Sequence, residues 1–358
     1  MRLSARDLEE LYADERIHDL GARAHAARTA RHGDRAFYNR NRHINPTNVC
    51  IFHCSFCAFA RTFEGEDGAW AYSIDEILAR AESAVAGGVT EFHIVGGLHP
   101  DWPYERYIEI LRELHRAHPR VHLKAYTAVE IDHLATLSGK TYAGVLEELL
   151  STGLGSLPGG GAEIFHEEIR SRICADKVTA EKWFEIHRTA HRLGLQTNAT
   201  MLYGHIEETR HKVDHLARLR DAQDEALAEG KGSFQVFIPL AFHPKDTEMA
   251  SLAPTPRTRF GPTGIEDLRE IAVARLFLDN IAHIKTYWVQ IGSGLAQTAL
   301  LYGADDIDGT VVEETIYHMA GSSVPQGLTQ EALLHLIRRA GLAPVERDTL
   351  YRPLVARA

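Results

Sequence analysis

The chain has 358 residues, of which 44% are hydrophobic and 25% charged, and its formal net charge is −10. This composition supplies a full hydrophobic core and excludes a disordered chain, and the negative balance argues against nonspecific binding of nucleic acid. No apolar run approaches the roughly 20 residues of a membrane span, and the charged N-terminus lacks the apolar centre of a signal peptide. We therefore expect a soluble, cytoplasmic protein with neither nucleic acid nor membrane as a partner.

Short apolar segments of β type alternate with longer amphipathic segments along the chain. After a helical segment at residues 5–35, the predicted strands cover residues 43–49, 91–95, 121–128, 155–157, 196–202, 234–240 and 284–289, with a weak eighth at 307–309. The predicted helices cover residues 73–86, 104–117, 141–151, 179–193, 209–229, 264–280, 294–303, 311–320 and 329–340. In the first of these helices, Ser73 is the predicted N-cap and Glu76 completes a capping box.

This alternation predicts an α/β fold with parallel strands joined by helices. At this length a (β/α)8 TIM-type barrel fits well, and an open doubly wound sheet is the alternative. We predict one domain overall. An N-terminal helical extension over residues 1–42 covers one end of the barrel, and the barrel with its C-terminal helices occupies residues 43–358.

Three of the four cysteines lie within eight residues of one another. Cys50, Cys54 and Cys57 form a C-x3-C-x2-C pattern where the first predicted strand ends, and Cys174 stands far downstream. A disulfide scaffold would distribute cysteine pairs along a short secreted chain, so this pattern excludes one. Clustered thiolates bind zinc or an iron–sulfur cluster, and a zinc site would need a fourth ligand such as His53.

The segment NPTNVCIFHCSFCAF resembles the signature of the radical S-adenosylmethionine (SAM) enzymes. The resemblance implies a (β/α)8 barrel of the radical SAM kind and a 4Fe–4S cluster held by Cys50, Cys54 and Cys57. One iron would remain open to bind SAM. It also implies an electron donor such as flavodoxin or ferredoxin, and we interpret Cys174 as a buried bystander.

The same resemblance assigns contacts with SAM to Phe59, Gly96, Gly97, Glu163, Lys182 and Thr200. The glycine pair follows a predicted strand, where glycines allow a tight turn and close approach of a ligand, with a purely structural turn as the alternative. Phe59 would pack on the adenine. For Glu163, at the barrel mouth, the alternative is a solvated loop carboxylate, and for Lys182 it is an ordinary surface lysine.

Motifs along nearly the whole chain resemble those of the aminofutalosine synthase family of the futalosine route to menaquinone. They include HIVGGLHP, PGGGAEIF, TNATMLYGHIE, FIPLAFHP and HIKTYWVQIG. The resemblance implies that a 5′-deoxyadenosyl radical adds to the enol ether of 3-[(1-carboxyvinyl)oxy]benzoate. Rearrangement and decarboxylation then give 6-amino-6-deoxyfutalosine, so that SAM is consumed as a substrate. Cyclic dehypoxanthine futalosine synthases and the enzymes that build the deazaflavin chromophore of F420 share many of these motifs and remain alternatives.

A substrate with two carboxylates calls for cations or hydrogen-bond donors near the barrel mouth. His205 and His243 each follow a predicted strand, and with Arg275 they are the predicted substrate contacts; Lys285 and Gln297 are weaker candidates. A homodimer remains open as an assembly. From other classes of protein, a zinc-stabilised barrel without redox chemistry and a non-catalytic barrel scaffold remain as alternatives.

Overall fold

The computed structural model describes residues 2–354 and contains two parallel sheets. The small sheet has the strand order β10–β1–β9 and consists of β1 (Arg35–Asn39), β9 (Asp306–Gly309) and β10 (Ala343–Glu346). The large sheet has seven strands, paired in chain order. They are β2 (Asn41–Ile44), β3 (Glu91–Ile94), β4 (His122–Ala125), β5 (Leu154–Leu157), β6 (Gln196–Tyr203), β7 (Phe234–Ala241) and β8 (His283–Ile284).

The segment that contains β9 closes the large sheet into a ring. On one side the Thr286 N–H donates to the Asp306 carbonyl at 2.8 Å, and on the other the His43 N–H donates to the Val312 carbonyl at 3.0 Å. Positive φ angles at Asp308 and Val311 interrupt regular pairing in this segment. The prediction of an α/β barrel with a weak eighth strand is therefore confirmed, although irregular backbone rather than a full strand completes the ring.

Helices surround the barrel and account for most of the remaining chain. They are α1 (Ala5–Ala13), α2 (Ile17–His32), α3 (Ile74–Ala86), α4 (Tyr104–Ala117), α5 (Ala128–Ser138), α6 (Tyr142–Ser151), α7 (Glu167–Ile173), α8 (Ala180–Arg192), α9 (Thr209–Glu229), α10 (Met249–Leu252), α11 (Pro256–Phe260), α12 (Gly264–Phe277), α13 (Trp288–Ile291), α14 (Ser293–Ala299), α15 (Ile316–Met319) and α16 (Gln330–Arg339). The predicted capping box of α3 is present: Ser73 N–H donates to the Glu76 carboxylate at 2.8 Å, and Glu76 N–H donates to the Ser73 hydroxyl at 3.2 Å. No helix in residues 2–354 is long and apolar enough to cross a membrane.

Several predicted strands are shorter in the structure than in the sequence prediction. The strand predicted over residues 43–49 corresponds to β2, which ends at Ile44. β4 ends at Ala125 because Tyr126 adopts a φ of 60°, and Thr127 then caps α5, a helix that the sequence analysis missed. β8 ends at Ile284, and α13 begins at Trp288 within the strand predicted over residues 284–289. Local apolar runs of this kind cannot distinguish a buried strand from a strand that turns into a buried helix.

The N-terminal helices cover the end of the barrel at which the strands begin. Arg31, at the end of α2, donates to the carbonyls of Ile281 and Asp279, both at 2.6 Å, and these residues directly precede β8. The predicted extension is not wholly helical, since it contains β1. The division at residue 42 remains a prediction, and its outer limits, residues 1 and 355–358, lie outside the described residues.

A buried carboxyl group between α12 and β6 gives a pH prediction. Tyr203 Oη donates to Asp267 at 2.7 Å, and burial raises the pKa of Asp267 from 3.8 to about 6. Because the raised pKa favours the protonated carboxyl in the folded state, its stability contribution is complete below pH about 4 and is lost as pH rises through about 6. Asp267→Asn keeps an acceptor for Tyr203, so we expect it to raise the free energy of unfolding by about 2–3 kcal/mol at pH about 8 and by roughly half as much at pH about 5.

Chemical denaturation across this pH range tests the effect. The exposed Asp221 on α9 provides the control, because Asp221→Asn removes a carboxylate without a buried environment. The prediction would be contradicted if the difference in the free energy of unfolding between the Asp267→Asn protein and the unmodified protein did not change with pH.

Candidate active site

One cavity of about 290 Å³ opens where the barrel strands end, and all three clustered cysteines line it. Loops after β2, β3 and β5, together with the inward faces of the strands, form its wall. The cavity-lining residues in these loops are Cys50, Phe52, Cys54, Phe56, Cys57, Phe59, Ala60, Gly96, Gly97, Leu98, Pro158, Gly159, Gly160, Gly161 and Glu163. The carboxyl ends of barrel strands are where enzymes of this architecture hold their active sites.

The cysteine loop is fixed by backbone hydrogen bonds to neighbouring segments. Cys57 N–H donates to the Cys54 carbonyl at 2.9 Å in a tight turn, and Cys50 N–H donates to the Arg61 carbonyl at 2.8 Å. All four cysteines are free thiols; Cys174 is buried and is not among the cavity-lining residues. Burial raises the pKa of Cys54 to about 12 and also raises that of Cys57, so these thiols require a bound cation to become thiolates.

The spacing of the thiols distinguishes between the two metal groups that the sequence left open. Among the described residues, no set of three ligand atoms within 4.8 Å of one another includes these cysteines. A single zinc ion, at about 2.3 Å from each sulfur, would hold its thiolates closer together than that. The other candidate ligand, His53, is exposed and does not line the cavity. The donor set therefore fits a larger iron–sulfur cluster better than one zinc ion.

The glycine pair after β3 brings the end of that strand against the cysteine loop. A Cβ at Gly96 would lie 2.9 Å from the Thr47 carbonyl oxygen, and one at Gly97 would overlap the Val49 carbonyl. Gly97 N–H also donates to the Thr47 carbonyl at 2.8 Å. Both glycines line the cavity, so the close packing that requires glycine also shapes the site.

Gly97→Ala is expected to displace the cysteine loop, since the added methyl cannot fit against the Val49 carbonyl. Overpacking of this kind costs about 1–3 kcal/mol, and here the cost falls on the loop that carries the metal ligands. We expect the variant to incorporate less iron on anaerobic reconstitution, measured by iron and sulfide content. Gly294→Ala is the control because a Cβ at Gly294 meets no atom within 4 Å; equal iron content in the two variants would contradict the prediction.

Glu163 lies in the cavity wall and pairs with a lysine that the sequence analysis did not select. Lys177 Nζ donates to Glu163 Oε1 at 2.5 Å, and both side chains line the cavity. Burial disfavours both charged forms, but the attraction between the two charges is the larger effect. The pKa of Glu163 is therefore lowered and that of Lys177 is raised. Thr200 Oγ1 donates to the Gly159 carbonyl at 2.8 Å, which ties the glycine-rich loop to β6.

Phe59 is placed as the sequence predicts, whereas Lys182 is not. Phe59 lines the cavity and packs edge-on against Trp70, with ring centroids 5.4 Å apart. Lys182 is not among the cavity-lining residues; its half-exposed side chain donates to Asp132 at 3.0 Å on the outer surface. The structure therefore does not bring Lys182 to the cavity, because its side chain points outward from α8 to Asp132, and Lys177 is the lysine that lines the cavity beside the cysteines.

The three predicted substrate contacts also lie outside this cavity. The buried ring of His205 makes a contact at 3.1 Å with the Leu202 carbonyl and lies 3.3 Å from Glu207. His243 Nε2 lies 3.0 Å from the Gln290 carbonyl, and Arg275 forms an ion pair with Asp305 near the opposite end of the barrel. Position after a strand suggested a site role for the two histidines, but His205 has its polar partners close by in the chain, and His243 has its partner on α13.

Of the weaker candidates, Lys285 lines the cavity and Gln297 does not. Gln297 donates to the Leu336 carbonyl at 2.8 Å and connects α14 to α16. Sequence reasoning also missed a group of polar side chains deep in the cavity, namely Asn41, His43, His93, Lys124 and Asp308. Polar residues at alternate positions in short buried strands, as in NRHI, EFHI and HLKA, were the available signal.

Comparison with known proteins agrees with this geometry. Residues 44–220 match the model of the radical SAM superfamily, and residues 231–357 match the CofH/MqnC C-terminal region. The chain is 46% identical to the aminodeoxyfutalosine synthase of Thermus thermophilus, over 98% of this chain and 92% of the relative. The Streptomyces coelicolor enzyme of the same name is 47% identical, over 99% of this chain and 91% of the relative.

A 5-amino-6-(D-ribitylamino)uracil–L-tyrosine 4-hydroxyphenyl transferase from Methanopyrus kandleri is 41% identical over 92% of this chain and 88% of the relative. Among solved structures, methylornithine synthase (PylB) has a TM-score of 0.74 at 16% identity, over 96% of this chain and 94% of that structure. The likeness to methylornithine synthase concerns the fold alone.

A parallel barrel with a C-x3-C-x2-C loop at its mouth defines a radical SAM enzyme, whose cofactors are a 4Fe–4S cluster bound by cysteines and SAM. Within that class, the chain belongs to the aminodeoxyfutalosine synthase family. The resemblance noted from the motifs is thereby confirmed.

Proposed function

We propose that this protein transfers the 5′-deoxyadenosyl group of SAM to 3-[(1-carboxyvinyl)oxy]benzoate, with methionine as the leaving group. Rearrangement, loss of one carboxylate as CO2 or bicarbonate, and oxidation of the remaining radical then give 6-amino-6-deoxyfutalosine for menaquinone synthesis. The observation that carries the proposal is 46–47% identity to two aminodeoxyfutalosine synthases over nearly the whole chain. Relatives with other names are less similar: the Methanopyrus kandleri transferase is 41% identical, and the cyclic dehypoxanthine futalosine synthase of Streptomyces coelicolor is 35% identical.

Different residues of the cavity would bind the cluster and SAM. Cys50, Cys54 and Cys57 would hold the cluster, which when bound supplies the electron that cleaves SAM. The backbone at Gly96 and Gly97 and the carboxylate of Glu163 would position the polar groups of SAM. Each of these residues lines the cavity, and their assignment to SAM is part of the proposal.

The apolar part of the wall excludes water from the reacting atoms. Phe56, Phe59, Leu98, Ile238 and Leu240 all line the cavity. A primary alkyl radical abstracts hydrogen from nearby donors, so an enclosure that holds the alkene close and keeps other groups away favours addition. No protein base is needed for the addition itself.

The reaction requires a reductant, and we propose flavodoxin or ferredoxin as the electron donor. The exposed side chains of Ile51 and Phe63 flank the cysteine loop, where such a donor would approach the cluster. Location in the cytoplasm and assembly as a homodimer belong to the same proposal.

Anaerobic turnover with reconstituted protein, SAM, a reductant and the enolpyruvyl benzoate tests the function. Mass spectrometry is expected to show a product that contains both the adenosyl group and the benzoate ring, formed with consumption of SAM. In a parallel reaction with dehypoxanthine futalosine in place of the benzoate, release of free 5′-deoxyadenosine with a cyclised product would instead identify the cyclase activity. Formation of neither product would contradict the proposed class of reaction.

A further inference from the structure

Three polar side chains form one row across neighbouring strands deep in the barrel. His43 on β2 pairs in register with His93 on β3, and His93 pairs in register with Lys124 on β4. In a parallel sheet, residues in register point to the same face, and all three line the cavity. The two imidazole rings are stacked, with centroids 4.5 Å apart and planes 12° apart.

Two ammonium groups are brought to this part of the cavity. Lys124 Nζ donates to Glu91 Oε1 at 2.7 Å, and Lys285 Nζ donates to Asp308 Oδ1 at 2.9 Å. Both lysines are about 3% exposed and line the cavity. Glu91, which also accepts from Asn39 at 3.1 Å, lies on the same face of β3 as His93 but nearer the start of the strand, and it is not among the lining residues, whereas Asp308 is. Each ammonium has three N–H donors, and these ion pairs use one of them.

The histidines add hydrogen-bonding capacity that the protein itself does not use. His43 is 8% exposed, and its Nδ1 is buried without a hydrogen-bond partner in the described residues. Burial lowers the pKa of both His43 and His93, so each ring is neutral and offers one N–H donor. A buried polar atom without a partner is costly, which indicates a ligand atom at this position.

We propose that His43, His93 and Lys124, with Lys285 beside them, bind the ring carboxylate of an aryl carboxylate substrate at the floor of the cavity. Hereafter these four residues are called the floor site. The assignment rests on the proposed function for the identity of the substrate.

The order of groups along the cavity supports an orientation in which the ring carboxylate of the substrate points to the floor. The cysteines and the glycine pair occupy the mouth, the apolar side chains Val95, Ile238 and Leu240 line the cavity, and the floor site contributes the cations. An aromatic ring with one charged end matches an apolar wall above a cationic floor. The carboxylates that face the cavity are Glu130, Glu163 and Glu314 besides Asp308, and of these Asp308 pairs with Lys285. Lys124 and Lys285 are each paired with one carboxylate, and each ammonium keeps further N–H donors for an incoming carboxylate.

Equilibrium binding to the cluster- and SAM-loaded protein tests the floor site without turnover. The probes are 3-[(1-carboxyvinyl)oxy]benzoate and 2-phenoxyacrylate, which lacks only the ring carboxylate. A charge-assisted hydrogen bond contributes about 1.5–3 kcal/mol, so we expect the unmodified protein to bind the dicarboxylate roughly 10- to 100-fold more tightly than the monocarboxylate.

Two variants remove the floor site in different ways. Lys124→Met together with Glu91→Gln removes the ion pair without leaving a buried charge unpaired, and His93→Phe keeps a flat ring against His43. In both we expect the preference for the dicarboxylate to fall several-fold or more while the affinity for 2-phenoxyacrylate and for SAM is retained. Lys182→Met is the matched control, because Lys182 is a lysine outside the cavity, and it is expected to keep the full preference.

The outcomes separate the floor site from the proposed function. Equal binding of the two probes by the unmodified protein, or an unchanged preference in both variants, would overturn the floor site. If the unmodified protein prefers the dicarboxylate and the variants lose that preference, the floor site is supported. Failure to detect an adenosyl adduct in the turnover experiment would contradict only the proposed reaction.

Discussion

Cys54→Ser is expected to prevent assembly of the iron–sulfur cluster and to abolish product formation. Serine keeps the size of the side chain but replaces the soft sulfur ligand with a hydroxyl that remains protonated. Changes to residues that only support a metal ligand already cost about 10- to 100-fold, so loss of a ligand itself should lower activity by more than about 100-fold. Iron and sulfide content, visible charge-transfer absorption and turnover after anaerobic reconstitution measure the effect.

Cys174→Ala is the matched control for this prediction. Cys174 is buried, and its neighbour Ile173 accepts from the Ser55 N–H in the cysteine loop at 3.0 Å, but Cys174 does not line the cavity. We expect the variant to keep the cluster and most of the activity. Retained absorption in Cys54→Ser, or a colourless unmodified protein with stoichiometric zinc, would be incompatible with the assigned ligand set.

Arg275→Met is expected to destabilise the fold strongly while leaving substrate affinity unchanged. Arg275 donates to the Gly303 carbonyl at 2.7 Å and to the Ala282 carbonyl at 3.0 Å, and it forms an ion pair with the fully buried Asp305. Removing one partner of a buried pair leaves the other charge uncompensated, which costs about 3–5 kcal/mol. Denaturant titration would give the loss in the free energy of unfolding, and KM of the folded fraction would give the substrate affinity.

Two further variants test whether the buried ion pair causes the loss in the free energy of unfolding. Arg275→Met with Asp305→Asn removes both charges and is expected to recover part of the stability. Arg6→Met removes an arginine whose side chain is 87% exposed and should change stability by less than about 0.5 kcal/mol. A normal free energy of unfolding with a raised KM in Arg275→Met would instead restore the substrate role predicted from the sequence.

Several local features of the site could be predicted from the chain alone. The spacing of Cys50, Cys54 and Cys57 depends only on neighbouring residues, and so does the capping box of Ser73 and Glu76. The glycine pair after β3 is similarly local, and strand–helix alternation was enough to predict the barrel. Strand ends were less certain, as at Tyr126, because the positive φ that ends β4 leaves no mark in an apolar run.

Which charged groups meet could be decided only by the tertiary structure. Lys177 reaches Glu163 across 14 residues of sequence, Lys124 reaches Glu91 across 33, and Arg275 reaches Asp305 across 30. No local pattern records these partners, since each pairing depends on how strands and loops are placed around the ring. The sequence by itself therefore determined the class of fold, the cysteine motif and the glycine turn. Only the tertiary structure showed that Lys182 and Arg275 lie outside the cavity and that Lys177 and Lys124 line it, because a buried charge is placed by the partner that compensates for its lost hydration.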